Sequence, residues 1–251
     1  MNLGDRMKEY YEGRNQTTLL RKMPVIMRLD GRAFHTFTKQ FQRPFDEALS
    51  GMMLTTALSL CAEIQGAKCA YIQSDEISIL ITDMDRIETE AWFDYNVQKM
   101  CSISAATATI AFATEYMHWN IGINNSDLLV KMRKISFDSR VFNIPHDEVE
   151  NYFVWRQKDW ERNSIHMLAQ AHFSHKQLHK KSRSDMHEML FQKGINWADL
   201  PDKWKNGVFV SKGEFIWSAK PICPIFTEEK SRQLLRSYLC PIEPSEEEEA
   251  V

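Results

Sequence analysis

Three carboxylates stand at the ends of apolar segments, and they are the side chains here whose type and spacing best suit metal chemistry. Asp30 ends an apolar run that begins at Pro24, and the pair Asp75-Glu76 separates the runs CAYIQ and ISILIT. Carboxylates that are brought together repel one another unless a cation lies between them. Magnesium takes one or two carboxylates together with substrate phosphates. The pattern therefore indicates a two-metal phosphoryl-transfer site.

The glycine after Asp30 supports this interpretation. Gly31 lets the backbone approach closely, so its carbonyl can bind a metal and the next amides can face phosphate oxygens. The alternative is structural, because Asp, Ser and Gly are common turn residues and the same stretch would cap a helix or a hairpin. On the residues alone, both interpretations stay open.

The hydrophobic pattern predicts the elements that position these carboxylates. Residues 24–30 alternate as a strand, and CAYIQ and ISILIT form an antiparallel hairpin. Between them, Asp46 is a plausible N-cap for a helix that ends near Gly66. We expect the first strand and the hairpin to be neighbours in one sheet, so Asp30 and Asp75-Glu76 meet at one end of it.

The rest of the chain adds helices and a second hairpin. A long helix is predicted over 87–116, a strand over 136–144, and helices over 147–173 and 184–193. GVFVS and EFIW form a hairpin around Lys212-Gly213. The order strand, helix, hairpin, helix, strand predicts an α+β fold, an antiparallel sheet with helices on one face. A mainly helical C-terminal half with a β-hairpin follows.

Composition excludes several classes of protein. The 251 residues are 43% hydrophobic and 26% charged, as is usual for a soluble enzyme, and no run is long enough to cross a membrane. The five cysteines form no CxxC pair, so they predict reduced thiols in the cytoplasm. The tail 240–251 carries five glutamates and is predicted to be disordered. The remaining body is slightly basic.

Basic and aromatic side chains cluster in the second half. HKQLHKKSR spans residues 175–183, which suits an anionic partner such as nucleic acid, although a solvated helix face gives the same pattern. His172, His175 and His179 are spaced to share a helix face. That face could meet RNA phosphate, be merely solvated, or hold zinc, for which no fourth ligand is recognisable. Trp155 and Trp160 are either core residues or base-stacking platforms.

The chain contains two separated motifs, RLDGRAFHTF and AYIQSDEISI, followed by the blocks FDSR and NYFVWRQKD. In this order, they resemble the tRNA-histidine guanylyltransferase family, the reverse polymerases that add nucleotides to the 5′ end of tRNA. The resemblance implies a polymerase-like palm over residues 1–145. It also implies that a tRNA-contacting region over 146–239 packs on the palm, and that the protein is a homotetramer without a membrane partner.

The resemblance also implies roles for individual residues. Asp30 and Asp75 would each bind both Mg²⁺ ions with the Gly31 carbonyl, and Glu76 occupies the position of a further catalytic acid. The nucleoside triphosphate, ATP or GTP, would be bound by Asp30, Gly31, Arg32, Ala33, Phe34, His35, Ser74 and Asp75. The candidates for contacts with phosphate or tRNA are Arg43, Lys99, Arg140, Arg156, Lys180, Lys181 and Arg183. Arg43 stands where many members have a lysine, which keeps the charge but changes the donor geometry.

The chain departs from the histidine-specific members after WRQKD. Those members carry His-Ile-Asn-Asn, whereas this chain has Glu161-Arg162-Asn163-Ser164. Met186 also stands where other members have a lysine, and Lys180, Lys181 and Arg183 are the nearby candidates to substitute for it. With GINW (194–197), these departures resemble the branch that repairs 5′-truncated tRNAs by templated addition.

The sequence therefore predicts a magnesium-dependent 3′-to-5′ nucleotidyltransferase that repairs tRNA after ATP or GTP activates its 5′ phosphate. One alternative is a tRNA-histidine guanylyltransferase proper. A nucleotide cyclase would share the palm and the two aspartates, but it would not explain the basic helices or WRQKD. A non-catalytic tRNA-binding protein would not explain the intact carboxylates.

Overall fold

A computed structural model describes residues 1–120 and 125–240 of the chain. Within these residues, six strands form one antiparallel sheet in the order β4-β1-β3-β2-β5-β6. The strands are β1 (Val25–Gly31), β2 (Ala67–Gln73), β3 (Glu76–Ile81), β4 (Phe137–Asn143), β5 (Val208–Lys212) and β6 (Trp217–Ala219). Apart from Cys240, the acidic tail lies outside the described residues.

The helices are grouped before and after β4. Those before it are α1 (Leu3–Met7), α2 (Phe34–Phe37), α3 (Glu47–Glu63), α4 (Val97–Trp119) and α5 (Asn125–Met132). Those after it are α6 (His146–His172), α7 (His175–Leu178), α8 (Arg183–Phe191), α9 (Asp202–Asn206) and α10 (Glu229–Ser237). No helix among the described residues is both long and apolar enough to span a bilayer.

Helices cover both faces of the sheet. On one face, Met27 of β1 belongs to a core that includes Met52 of α3 and Phe112 of α4. On the other, Ile26 lies in a second core with Phe153 of α6 and α10 residues. Side chains alternate between the faces of a strand, so β1 contributes side chains to both cores. The α+β prediction is confirmed, and the helical second half covers the opposite face rather than extending the first helical layer.

A third core joins α6 to α8. Ile165 and Leu168 of α6 pack there with Met186 and Leu190 of α8. Met186, at a position where the family resemblance implies a lysine, is therefore a buried packing residue. Lys180 and Lys181, by contrast, are exposed.

Two element boundaries differ from the sequence prediction. Helix α4 begins at Val97 and not at Ile87, because Asn96 caps it by accepting a hydrogen bond from the Lys99 amide at 3.0 Å. Just before this cap, residues 93–95 have positive φ angles, which no helix pattern reveals. In the second hairpin, the strand β6 starts only at Trp217, because the Gly213 amide donates to the Ile216 carbonyl and closes a longer turn. The predicted N-cap Asp46 is confirmed, with the Leu49 amide as donor at 2.9 Å.

Candidate active site

Three carboxylates lie side by side at one end of the sheet. Asp30 of β1 is directly opposite Glu76 of β3 on one side and Asp138 of β4 on the other. Cross-strand partners share a face of the sheet, so this carboxylate row (Glu76, Asp30 and Asp138) faces the α6 layer. The row confirms that β1 and the hairpin are neighbours, and it adds Asp138, which was not assigned to the site from the sequence.

The turn between β2 and β3 brings Asp75 to the same end of the sheet. Its carbonyl accepts a hydrogen bond from the Gly31 amide at 3.0 Å, which ties the turn to the end of β1. Ser74 in this turn has a φ of 49°. Gly31 is required sterically, because a Cβ at this position would come within 2.4 Å of the Phe34 ring.

Burial and like charge act on both aspartates of the predicted metal site. Burial raises the pKa of Asp30, and Asp138 raises it further, whereas the arginines nearby lower it. Burial also raises the pKa of Asp75, and the negative charge of Asp30 adds to this. Among the described residues, neither aspartate forms a salt bridge. Both carboxylates would thus be stabilised by a cation.

Glu76 is placed differently from these two aspartates. Its carboxylate accepts hydrogen bonds from Arg156 of α6, from Nε at 2.7 Å and from a terminal guanidinium nitrogen at 2.8 Å. Both residues are buried. Arg156 also donates to Asp159 at 3.1 Å. Arg156 was predicted from the sequence to contact phosphate or tRNA. In the structure, it instead forms an ion pair with Glu76 that joins the hairpin to α6.

A magnesium site would rest on few protein ligands. Among the described residues, no group of three or more His, Cys, Asp or Glu side chains is arranged to hold a metal. Two carboxylates (Asp30 and Asp75) and the Gly31 carbonyl are hard oxygen donors, the type that magnesium uses together with substrate phosphates. The donor set thus fits the predicted ion without a side-chain cage.

Two cavities flank Asp75. The first, which we call the enclosed cavity, has a volume of about 400 Å³ and is lined by His35, Arg43, Ser74, Asp75, Lys203 and Trp204, among others. The second, which we call the polar cavity, has a volume of about 560 Å³ and includes Arg28, Asp30, Arg156, Asn163 and His166 in its lining. The two cavities adjoin along Gln73, Ser74 and Asp75, and Asp30 belongs to the lining of the polar cavity.

The remaining candidates of the first motif divide by placement. Arg32 is exposed, and Ala33 has a positive φ just before α2. Phe34 is buried, and its ring packs against the ring of Phe112 at 5.2 Å. Only the backbone of Phe34 is therefore available to a nucleotide.

Two predicted phosphate contacts lie at opposite ends of the sheet. Arg140 pairs with Asp138 at 2.8 Å in the carboxylate row. Helix α4 reaches the level of Phe137 at Thr109, whereas its first turn lies towards the far end of β4. Lys99, in that first turn, is therefore not brought to the carboxylates.

The basic second half is exposed between α7 and α8. Lys180, Lys181 and Arg183, which we call the basic face, lie on this surface, and Arg183 pairs with Glu161 of α6 at 3.3 Å. The three histidines do not share one helix, since His172 ends α6 while His175 begins α7 and His179 follows it.

Several site residues were missed from the sequence although a signal was present. Arg28 lies two positions before Asp30 and therefore shares its face of β1. Asn163 and His166 follow Asp159 at helical spacing, and all three line the polar cavity. A helical projection from WRQKD would have found them.

The fold and the site together define a palm-like nucleotidyltransferase. The family model described as Thg1: tRNAHis guanylyltransferase matches residues 4–145, and the chain belongs to this family. A relative described as a probable tRNA(His) guanylyltransferase from Drosophila melanogaster is 28% identical, over 81% of this chain and 72% of the relative.

Two solved structures are more similar to this chain. A bacterial tRNA(HIS) guanylyltransferase (Thg1)-like protein in complex with ATP is 42% identical, with a TM-score of 0.86, and the match covers 95% of this chain and 99% of that one. A second such bacterial protein, in complex with GTP, is 37% identical with a TM-score of 0.78 at the same coverage. The resemblance seen in the sequence motifs is thus confirmed along nearly the whole chain.

Proposed function

We propose that this protein is a magnesium-dependent enzyme that extends tRNA at its 5′ end in the 3′-to-5′ direction, and that it repairs truncated tRNAs by templated addition. The observation that carries this proposal is the placement of Asp30 and Asp75 at the end of the sheet beside two adjoining cavities, both of which Asp75 lines. A polymerisation site needs to hold two substrates on one pair of carboxylates. Two adjoining cavities at these carboxylates support that interpretation.

The enclosed cavity is the proposed site for the nucleoside triphosphate. It combines aromatic walls with the cations Arg43 and Lys203 and the Ser74 hydroxyl. Trp204 is itself stacked on Phe45, with ring centroids 4.9 Å apart, and Lys203 Nζ lies over its ring. The aromatic walls provide an apolar surface for a base, while the cations and the hydroxyl can bind phosphate oxygens. The ATP and GTP in the similar bacterial structures support this assignment.

Asp30, Asp75 and the Gly31 carbonyl would hold magnesium. When bound, the two ions lower the pKa of a nucleotide hydroxyl and stabilise charge on the leaving phosphates. The residues of this chain fix the geometry: the hydrogen bond between Gly31 and Asp75 sets the distance between the two strand ends. Glu76 and Arg156 hold the hairpin against α6.

The proposed reaction has two steps. The 5′ monophosphate of the RNA first attacks the α-phosphate of ATP (or GTP), pyrophosphate leaves, and a nucleotidyl-capped end forms. The 3′ hydroxyl of the incoming nucleotide then attacks the 5′ phosphate of the RNA, and AMP (or GMP) leaves. If the RNA already carries a triphosphate, the first step is unnecessary and pyrophosphate leaves in the second.

The departures from His-Ile-Asn-Asn support repair over guanylylation of histidine tRNA. Glu161 forms the ion pair with Arg183 described above, so a negative side chain replaces the histidine of the specific enzymes. Ser164 is fully buried, and its hydroxyl donates to the Trp204 carbonyl and accepts from Trp197 Nε1. Two of the four positions therefore have structural contacts within this chain: Glu161 forms an ion pair, and Ser164 is buried and hydrogen-bonded.

The proposal includes the partners and the setting of the enzyme. Residues 1–145 would carry the chemistry, and residues 146–239 would contact tRNA through the basic face. We propose a homotetramer in the cytoplasm, as the family resemblance and the free cysteines predict.

The test is a set of four tRNAs that lack their first nucleotide and differ only at the base facing the gap. Each is offered all four triphosphates with magnesium, and the added base is sequenced. We expect the complementary base in every case. Guanosine added whatever the facing base would indicate a tRNA-histidine guanylyltransferase, and a cyclic nucleotide formed without RNA would indicate a cyclase.

A further inference from the structure

Trp155 is an exposed aromatic side chain at the edge of the active site. It lies on α6, and 52% of its surface is accessible, whereas Trp160 on the same helix is 3% accessible. The two tryptophans of this segment thus have different roles: Trp160 is a core residue, but Trp155 presents much of its indole to solvent. A single exposed hydrophobic side chain is normal on a protein surface, so the case for a ligand rests on the groups that surround this ring.

The indole of Trp155 is held in place by its neighbours. The Arg156 guanidinium lies over the ring at 4.4 Å from its centroid, and the Tyr152 ring packs edge-on at 5.8 Å. Arg156 is itself fixed by Glu76. Because the ring is already ordered, a ligand that stacks on it loses little additional side-chain entropy.

Cations border this tryptophan on the sheet. The Arg28 guanidinium lies 5.9 Å from the indole centroid, and its buried Nε has no hydrogen-bond partner. Its approach to Glu76, at 3.9 Å, is too long for a hydrogen bond. Arg140 is directly opposite Arg28 in the register of β1 and β4, and it is exposed. The surface therefore combines a flat aromatic with Arg28 and, on the same face of the sheet, with Arg140, which pairs with Asp138 at 2.8 Å.

We propose that Trp155 is the stacking platform for the terminal base at the RNA 5′ end, and that Arg28 and Arg140 bind the phosphates beside that base. This inference rests on the proposed function and adds a subsite to it. The base of a nucleoside triphosphate could also stack on Trp155, but the cavity proposed for the triphosphate is lined by Arg43 and Lys203 and does not include Trp155. The surface at Trp155 is open, so a duplex end can reach it.

The platform also accounts for how the base is chosen. Stacking accepts every base because each has a π-face, and it carries no hydrogen-bond code. An enzyme that holds the end of its RNA by stacking leaves the choice of base to pairing with the opposite strand. The chemistry of Trp155 therefore agrees with templated addition.

The test compares Trp155→Leu and Trp155→Phe with Trp119→Leu. Trp119 ends α4 and is 56% accessible, so it controls for the loss of an exposed tryptophan. For Trp155→Leu we expect the KM for truncated tRNA to rise by roughly 5- to 100-fold, while the Kd for ATP without RNA changes less than about two-fold. Trp155→Phe should keep most of the tRNA affinity, and Trp119→Leu should keep all of it.

An unchanged KM for tRNA in Trp155→Leu would overturn the platform, and so would an equal loss of ATP binding, which would assign the stack to the triphosphate. A binding experiment separates this failure from failure of the proposed function. A 5′-phosphorylated RNA hairpin should quench the fluorescence of the wild type more than that of Trp155→Phe, whether or not nucleotides are added. If the difference is absent while the wild type extends tRNA, only the platform is wrong. If quenching occurs without extension, only the proposed function is wrong.

Discussion

Arg156 holds Glu76 with two hydrogen bonds in the row where Glu76 lies directly opposite Asp30. The pair neutralises one of the carboxylates at the end of the sheet and leaves Asp30 and Asp75 as the acids available for a cation. It also connects two distant parts of the chain, the hairpin that carries Asp75 and the helix that lines the polar cavity. Glu76 is thus held in an ion pair in this structure, and the catalytic role that the resemblance implies for it stays a prediction.

Removing one partner of the Arg156–Glu76 ion pair should lower the free energy of unfolding. Arg156→Met leaves the Glu76 carboxylate buried without its partner, which destabilises a protein by about 3–5 kcal/mol. The double variant Glu76→Gln with Arg156→Met should lose clearly less than the sum of the two single variants, because the two charges that compensate one another are removed together. Urea denaturation of the four proteins measures the coupling. Additive losses would show that the two side chains do not stabilise one another.

Replacing the aspartates should abolish nucleotide addition. Asp30→Asn and Asp75→Asn each keep the shape of the side chain but remove a charged oxygen ligand, so turnover should fall by more than about 100-fold. Magnesium should also raise the stability of the wild type, by about 2.7 kcal/mol at a hundred times its Kd, and do so far less in either variant. Asp138→Asn is the matched control, since it removes an acid of the same row. Near-normal turnover in Asp30→Asn or Asp75→Asn would exclude the metal assignment.

The same aspartates should shape the dependence of stability on pH when no metal is present. The pKa of Asp75 is raised above its ordinary value of 3.8, so the folded state binds that proton more tightly than the unfolded state. This favours folding below pH 3.8 and is lost as the pH rises through the folded-state pKa. At neutral pH, metal-free Asp75→Asn should therefore melt at a higher temperature than the wild type, and the gain should shrink towards pH 3.8. Thermal melts in the presence of a chelator, from neutral pH to pH 3.8, measure this gain in melting temperature. A gain that grows towards pH 3.8 would contradict the prediction.

The basic face should bind RNA and not the triphosphate. Changing Lys180, Lys181 and Arg183 to glutamate should lower tRNA affinity by at least about ten-fold and flatten its dependence on salt, because fewer counterions are released. The Kd for ATP should stay constant. Lys212, Lys220 and Lys230 are also exposed, and their change to glutamate is a control with the same charge difference. Equal losses in the two triple variants would indicate a general effect of net charge.

Local pattern was sufficient for the sheet and for the meeting of Asp30 with the hairpin. Alternation marks strands, and a polar cap such as Asp46 marks a helix start, so both can be read within a few residues. The alternation of side chains along β1 also indicates that Arg28 lies on the same face as Asp30. The start of α4 was not predicted, because Phe93 and its neighbours adopt positive φ angles that do not alter the apolar pattern.

Long-range partners account for what the sequence did not predict. Arg156 is 80 residues from Glu76, and no periodicity relates them. Asp138 joins the carboxylate row only because β4 pairs with β1, a choice of edge that the pattern within β4 does not specify. Such pairings depend on how the layers pack, so roles that rest on them need the structure.

The last prediction concerns the two positions where this chain departs from the histidine-specific enzymes. Ser164 is buried against the Trp204 carbonyl and the Trp197 indole, so Ser164→Asn should overpack the site and destabilise the fold by about 1–3 kcal/mol. Glu161→His removes only an exposed ion pair with Arg183, so its cost should stay below about 1 kcal/mol. Urea denaturation of each variant measures these costs, and Ser164→Ala, which leaves Trp197 Nε1 unpaired without adding volume, separates the hydrogen bond from the packing.

Neither change should convert the enzyme into one that adds guanosine opposite adenosine. The rest of α6 and the residues that pack against it would be unchanged, and base choice would still follow pairing with the facing strand. The double variant Glu161→His with Ser164→Asn should therefore add uridine to a truncated tRNA whose facing base is adenosine, at a reduced rate if its fold is weakened. Sequencing of the extended ends decides the point. Guanosine as the main product would show that these two positions are sufficient to set specificity, and that pairing does not direct the addition.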